Sequence, residues 1–356
     1  MRNLTAGIVA GLLLCAGSAY AQNQQTPSKA RAATPEIPYD AINFTAKMPQ
    51  GLYMGEGVGV ATDSKGNVFV MTRSGETRVF EFDHSGKFLK EFGAGSYAYA
   101  FAHQVIVDHD DNIWTVDEGT NVILKYNQAG KLLMVLGKRP DPLDQLLHMP
   151  GGAPYSGANR PYSFHRPTDV TWDAQGNIFV SDGYTDSRIV KYDKNGRFIK
   201  SMGTRGNGTN QFNTPHGIAA DAQGNIYVAD RGNGRIVVLD NDLNWKTIYD
   251  SYGNPWDVCI SQTSPQYLFT SNSTGPNMEM VNTSVTGEIY KLNLDGTAVG
   301  RFGKGGKAVG EFASAHSLEC RNNNEIYVSE LTSWRVQKVT LKGAPQTSQS
   351  KLGGQP

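Results

Sequence analysis

Three of the seven histidines in this 356-residue chain occupy one repeated register. His103, His216 and His316 each stand nine residues before the first residue of an aromatic strand core. The three segments are FAHQVIVDHDDNIWTV (101–116), TPHGIAADAQGNIYVA (214–229) and SAHSLECRNNNEIYVS (314–329). Neutral imidazole is a nitrogen donor, and three such donors meeting at one point form the ligand set of a catalytic zinc, which keeps a further position for water or substrate. The same register holds Val58 and Thr168 in two other copies, so histidine is not what the strand needs for packing. Arg73 and Arg231 also share a position, each six residues after the first residue of its strand core. A guanidinium presents a planar donor fork suited to a carboxylate, and a pair of them would make a clamp. The plainer alternative for either arginine is a salt bridge between neighbouring repeats.

The elements that position these side chains follow from the repeat. Strand cores recur as NVFV (67–70), NIWT (112–115), NIFV (177–180), NIYV (225–228), YLFT (267–270) and EIYV (325–328). Their spacing is close to the period of about 40 to 50 residues of propeller blades, with two longer intervals that carry insertions. Each core is followed by a second strand, such as RIVKYD (188–193) or RIVVLD (235–240), then by turns such as KNGR that lead to a last short strand. Several short strands with glycine turns per repeat describe a four-stranded blade, and six copies close a ring. The sequence therefore predicts an all-β, six-bladed β-propeller over residues 38–342, with a metal site in its central channel. First strands line that channel, so histidines of blades two, four and six, about 120° apart, converge on the axis. Residues 38–44 are expected to supply the outer strand that closes the ring with blade six.

The segments FHRPTDV (164–170), SDGYTDSRIVKYD (181–193), TPHGIA (214–219) and ADRGNGRIVVLD (229–240) resemble the peptidyl-α-hydroxyglycine α-amidating lyases, a family of six-bladed NHL-type propellers. The resemblance spans roughly residues 50–340 and is densest over 160–240. It implies that His103, His216 and His316 bind Zn2+. It also implies that Tyr184 of the SDGY motif handles the proton beside the metal, and that Arg73 and Arg231 hold a substrate carboxylate. A blade-surface phenol is the plain alternative for Tyr184. The implied reaction cleaves the N–C bond of an α-hydroxyglycine-type carbinolamide, giving an amide and glyoxylate. The chain departs from the family in three places, one of them the family's methionine two residues before the proline of its last zinc ligand, which is not evident near Ser314. Ser317 stands where the family has an aspartate that helps hold a structural Ca2+, which puts calcium in doubt. His165 and Thr185 occupy the region of a cysteine pair that brackets the family tyrosine.

Residues 1–21 combine Arg2, the apolar run IVAGLLLCAG (8–17) and a small-residue end AYA (19–21), which reads as a cleaved signal peptide for export to the periplasm or beyond the cell. That run is too short to span a membrane. Residues 22–37 and 343–356 read as flexible ends. The 33 basic and 33 acidic residues balance, which argues against nucleic acid or an anionic membrane as partner. A small-molecule or peptide substrate and a monomer are expected. Cys259 and Cys320 fall on the first strands of blades five and six, where a disulfide and two free thiols are equally consistent with the sequence. Insertions at 138–163 and 272–287 shape a rim, and Tyr155, Met278 and Met280 would offer it an apolar wall. His148 and His165 have no register partners and read as loop histidines. Two other functions fit the same repeat: another metal-dependent hydrolase or lyase, and a non-catalytic exported propeller that binds a protein or glycan.

Overall fold

The computed structural model describes residues 28–139, 160–273 and 286–343. The signal segment, Tyr155, His148, Met278, Met280 and residues 344–356 lie outside them. Six four-stranded antiparallel sheets follow one another along the chain. Blade one is β2 to β5 (Gly57–Thr62, Val68–Thr72, Arg78–Phe82, Phe88–Phe92), and blade two is β6 to β9 (Ala102–Val107, Ile113–Asp117, Val122–Tyr126, Leu132–Gly137). Blade three is β10 to β13 (Asp169–Trp172, Ile178–Asp182, Arg188–Tyr192, Phe198–Met202). A short parallel pair, β14 (Thr204–Arg205) with β15 (Gln211–Phe212), links it to blade four, β16 to β19 (Pro215–Ala220, Ile226–Asp230, Arg235–Leu239, Trp245–Tyr249). Blade five is β20 to β23 (Pro255–Ile260, Leu268–Asn272, Glu288–Leu292, Ala298–Phe302). Blade six joins β24 (Ala315–Asn322), β25 (Glu325–Glu330) and β26 (Arg335–Leu341) to the N-terminal β1 (Tyr39–Asn43). Asn43 lies opposite Gln337 and Tyr39 opposite Leu341, so the start of the chain closes the ring on its end.

The recurring aliphatic–aromatic–aliphatic core has a direct packing reason. Successive strand residues point to opposite sheet faces, and in a propeller both faces are covered by neighbouring blades. In β17, Ile226 and Val228 pack in the seam with blade three, while Tyr227 and Ala229 pack in the seam with blade five. The six hydrophobic clusters lie at the six junctions between neighbouring blades. This arrangement leaves the innermost strands free to present polar side chains to the axis.

One expectation needs correction. Residues 28–37 are not a loose linker. The Ala30 amide donates to the Ser251 carbonyl at 2.9 Å, the Ile37 amide donates to the Arg301 carbonyl at 2.8 Å, and Ile37 is buried beside blade five. The segment is polar by composition, yet its backbone finds strand-edge partners and its apolar residues find the seam. Cys259 and Cys320 form a disulfide with their Cα atoms 6.0 Å apart, tying the inner strands of blades five and six. Among the described residues no helix is long and apolar enough to cross a membrane.

Candidate functional site

His103, His216 and His316 sit on β6, β16 and β24, the inner strands of alternate blades, and each is at most 2% exposed. Their ring centroids are 4.5, 4.8 and 4.9 Å apart, a nearly equilateral triangle across the channel. One candidate ligand atom from each lies within 4.8 Å of the others, so the cluster is able to hold a metal ion.

The orientation of each ring is set by the blade that follows it. His103 Nδ1 meets the Thr168 carbonyl at 2.5 Å, His216 Nδ1 the Trp256 carbonyl at 2.6 Å, and His316 Nδ1 the Val58 carbonyl at 2.6 Å. A carbonyl only accepts, so Nδ1 carries the proton in all three rings and Nε2 keeps its lone pair. A backbone acceptor behind each imidazole is the arrangement that fixes metal-ligating histidines. Burial pushes all three imidazoles well below their ordinary value, His316 to about 3. The like charge of Arg231 pushes all three in the same direction, and that of Arg73 does so at His103 and His316. Neutral rings with inward lone pairs are the protonation state a metal requires, so the donor set fits one.

Tyr184 lies just beyond β11, at the mouth of the channel. Its hydroxyl is 3.2 Å from His103 Nε2 and 3.4 Å from His216 Nε2. The preceding Gly183 is required by close approach, because a side chain there would strike the Pro215 carbonyl of blade four. The loop after Tyr184 is anchored by Asp186, whose carboxylate takes the His165 Nδ1 at 2.8 Å, and by the buried Arg188–Asp182 pair at 3.0 Å. A polar bridge thus spans the region where the resemblance placed a cysteine pair, and His165 is a structural partner of the tyrosine loop. Burial pushes the Tyr184 phenol up, and the Arg231 guanidinium opposes that shift.

Arg231 opens a single 3-10 turn (Arg231–Asn233) that ends at Gly234 in the left-handed conformation. Its guanidinium carbon lies 4.6 Å from the Trp256 ring and 5.3 Å from the Tyr184 ring, and its Nε is buried without a hydrogen-bond partner. Arg73 comes from the equivalent hairpin of blade one. It stacks on Phe101 at 4.2 Å and pairs with Glu56 at 2.8 Å, with Glu118 at 3.8 Å. The salt-bridge alternative therefore holds for Arg73, while Arg231 forms no ion pair among the described residues.

Three residues escaped the sequence reading. Trp256 is blade five's counterpart of the histidines, but the hairpin there is two residues longer: Pro255 pairs with Asn272, whereas Pro215 pairs with Asp230. Glu118 stands six residues after the first residue of its strand core, in register with Arg73 and Arg231, and that signal was available. Arg166 lies in a loop with no register. At the far end of the channel a cavity of about 330 Å³ is lined by Asp169, Asp257 and Ser317, not by the imidazoles. The two aspartates follow the histidine register in blades three and five. Their carboxylates accept the amides of Ile218 at 2.9 Å and Leu318 at 2.7 Å, latching each inner strand to the next. The cavity's carboxylates are already committed to these backbone bonds, whereas the imidazoles keep their inward lone pairs.

The NHL repeat model matches residues 212–239. NHL repeat-containing protein 3 of Mus musculus is 25% identical over 300 residues, 78% of each chain. The probable peptidyl-alpha-hydroxyglycine alpha-amidating lyase of Caenorhabditis elegans is 31% identical over 117 residues, covering 33% of this chain and 29% of the worm protein. Peptidyl-glycine alpha-amidating monooxygenase A of Xenopus laevis is 35% identical over 122 residues, 33% of this chain and 11% of the frog protein. The match thus spans less than a third of either amidating protein. Among solved structures, a streptogramin B lyase superposes with TM-score 0.54 at 15% identity, over 85% of this chain and 98% of that one. A putative gluconolactonase superposes with TM-score 0.58 at 11% identity, over 89% and 97%. At these identities the structural likeness speaks for the fold alone. The chain is a six-bladed propeller that carries an NHL repeat at residues 212–239 and is similar, over about a third of its length, to the peptidyl-α-hydroxyglycine α-amidating lyases.

Proposed function

We propose that the protein is a zinc-dependent lyase that cleaves an α-hydroxyglycine-type carbinolamide to an amide and glyoxylate. The observation that carries this reading is the meeting of three neutral imidazoles with the Tyr184 hydroxyl at one end of the channel. His103, His216 and His316 would hold the zinc, which supplies the Lewis acidity that makes a substrate hydroxyl easier to deprotonate. Tyr184 takes the hydroxyl proton, acting in the phenolate form that Arg231 favours and burial opposes. The electrons of the broken O–H bond form the carbonyl of glyoxylate. Those of the C–N bond pass to nitrogen, which takes the proton back from Tyr184 as the amide leaves. Arg231, with its buried partnerless Nε beside Tyr184, receives the carboxylate of the glyoxylate fragment. Arg73, braced by Glu56, contributes positive potential on the other side. The disulfide suits an exported protein.

The test is glyoxylate release from α-hydroxyhippurate together with metal content. About one zinc per chain and chelator-sensitive release are expected. His216→Ala and Tyr184→Phe should each lose activity by at least about a hundredfold while their melting curves stay cooperative. Full activity in either variant would remove the assigned roles.

A further inference from the structure

The mouth of the channel holds a carboxylate that the reaction does not use. Glu118 follows β7 and is only 2% exposed. Its Oε2 accepts from Arg166 Nη2 at 3.0 Å, and its Oε1 lies 3.8 Å from Arg73 Nη1. Burial pushes the Glu118 carboxyl up, while Arg166 and Arg73 pull it down. The site therefore gathers three guanidiniums, Arg73, Arg166 and Arg231, against two carboxylates, Glu56 and Glu118. The imidazoles add no charge.

Arg166 differs from the other two. Its backbone is in the left-handed region at φ 64°, where an arginine is strained. Both peptide groups are pinned there: its amide donates to Asn121 Oδ1 at 2.8 Å, and its carbonyl accepts from the Tyr184 amide at 3.3 Å. This grip places the guanidinium carbon 4.6 Å from the Tyr184 ring. The side chain remains 52% exposed, against 10% for Arg73. A guanidinium carries five N–H donors, and the bond to Glu118 leaves others facing the mouth. Glu118, being buried, acts as a fixed tether. Strained backbone held by its surroundings at a site rim is characteristic of ligand clamps.

We propose that Arg166 is a specificity-determining residue that selects substrates carrying a second negative charge, on the acyl part next to the scissile bond. The inference rests on the lyase reading, in which Arg231 is matched to the glyoxylate carboxylate. Arg166 is then the guanidinium within reach of the remainder of the substrate, and Tyr184 lies between the two. A residue that only steadied Tyr184 would treat all substrates alike.

The experiment measures binding, not turnover. N-succinylglycine and its neutral succinamoyl counterpart differ only in the second charge, and neither has a hydroxyl to react. Calorimetry on the metal-loaded mature protein should find the diacid bound about tenfold more tightly. Arg166→Gln should bring that ratio close to one, and Arg166→Lys should recover part of it, with melting curves confirming the fold. A wild-type ratio near one, a ratio unchanged in Arg166→Gln, or binding of neither compound at millimolar concentration would each overturn the proposal. Glyoxylate release is scored separately. An Arg166-dependent preference without glyoxylate release removes the lyase reading and keeps the charge selection. Release without the preference does the reverse.

Discussion

Replacing His316 with glutamine isolates the electrostatic cost of burying an imidazole in the channel. The folded protein holds His316 neutral down to about pH 3, against an ordinary value of about 6.5 in the unfolded chain. Between those values the unfolded state binds a proton that the folded state refuses. The stability contributed by the neutral ring is complete above pH 6.5 and falls as the pH drops. From pH 7 to pH 5 the unfolded chain gains about 2 kcal/mol from protonating this one side chain. Asp257, pushed up to about 7, and Asp182, pushed up to about 6, titrate in the opposite sense over the same range. They are present in both proteins and cancel in the comparison. The glutamine amide can still donate to the Val58 carbonyl, so the variant keeps the blade contact while losing the titration. Urea denaturation of chelator-treated protein at both pH values is the assay. Wild type should lose about 2 kcal/mol more than the variant on acidification. Equal losses would refute a buried neutral imidazole at position 316, and with it the electronic state on which metal binding depends.

Two further outcomes concern stability. Asp257→Asn removes a contribution that opposes the imidazoles. Between about pH 4 and 7 the folded state binds at Asp257 a proton the unfolded state lacks, so this group's share of the stability falls as the pH rises, and the variant should lose more stability than wild type on acidification; thermal melts at pH 4.5 and 7.5 would read it. Cys259→Ser with Cys320→Ser opens a loop of 61 residues' separation, and urea denaturation should lose about 4 kcal/mol of stability.

The fold was legible because the ring repeats its instructions. The period, the strand cores and the His103, His216 and His316 register all survive translation into blades. Within the expected span 38–44, Tyr39–Asn43 form the closing strand beside β26. What the sequence hid has physical causes. The carbonyls of Val58, Thr168 and Trp256 orient the imidazoles, and a backbone oxygen leaves no mark on residue type. Trp256 was displaced from its register by a two-residue hairpin extension. Arg166 reaches the site from a loop whose left-handed backbone no side-chain pattern announces. Polar residues 28–37 read as loose because composition carries no record of the strand edge that receives them.

The donor–acceptor pattern behind the histidines has one more consequence. Blade two leans on blade three, blade four on blade five, and blade six on blade one. The smallest unit that holds one ligand and its orienting carbonyl is therefore a pair of blades. Three such pairs compose the ring, so the site has threefold pseudosymmetry within a single chain. A two-blade polypeptide that assembled as a trimer would carry the complete ligand set, and none of its subunits alone would carry more than one third of it.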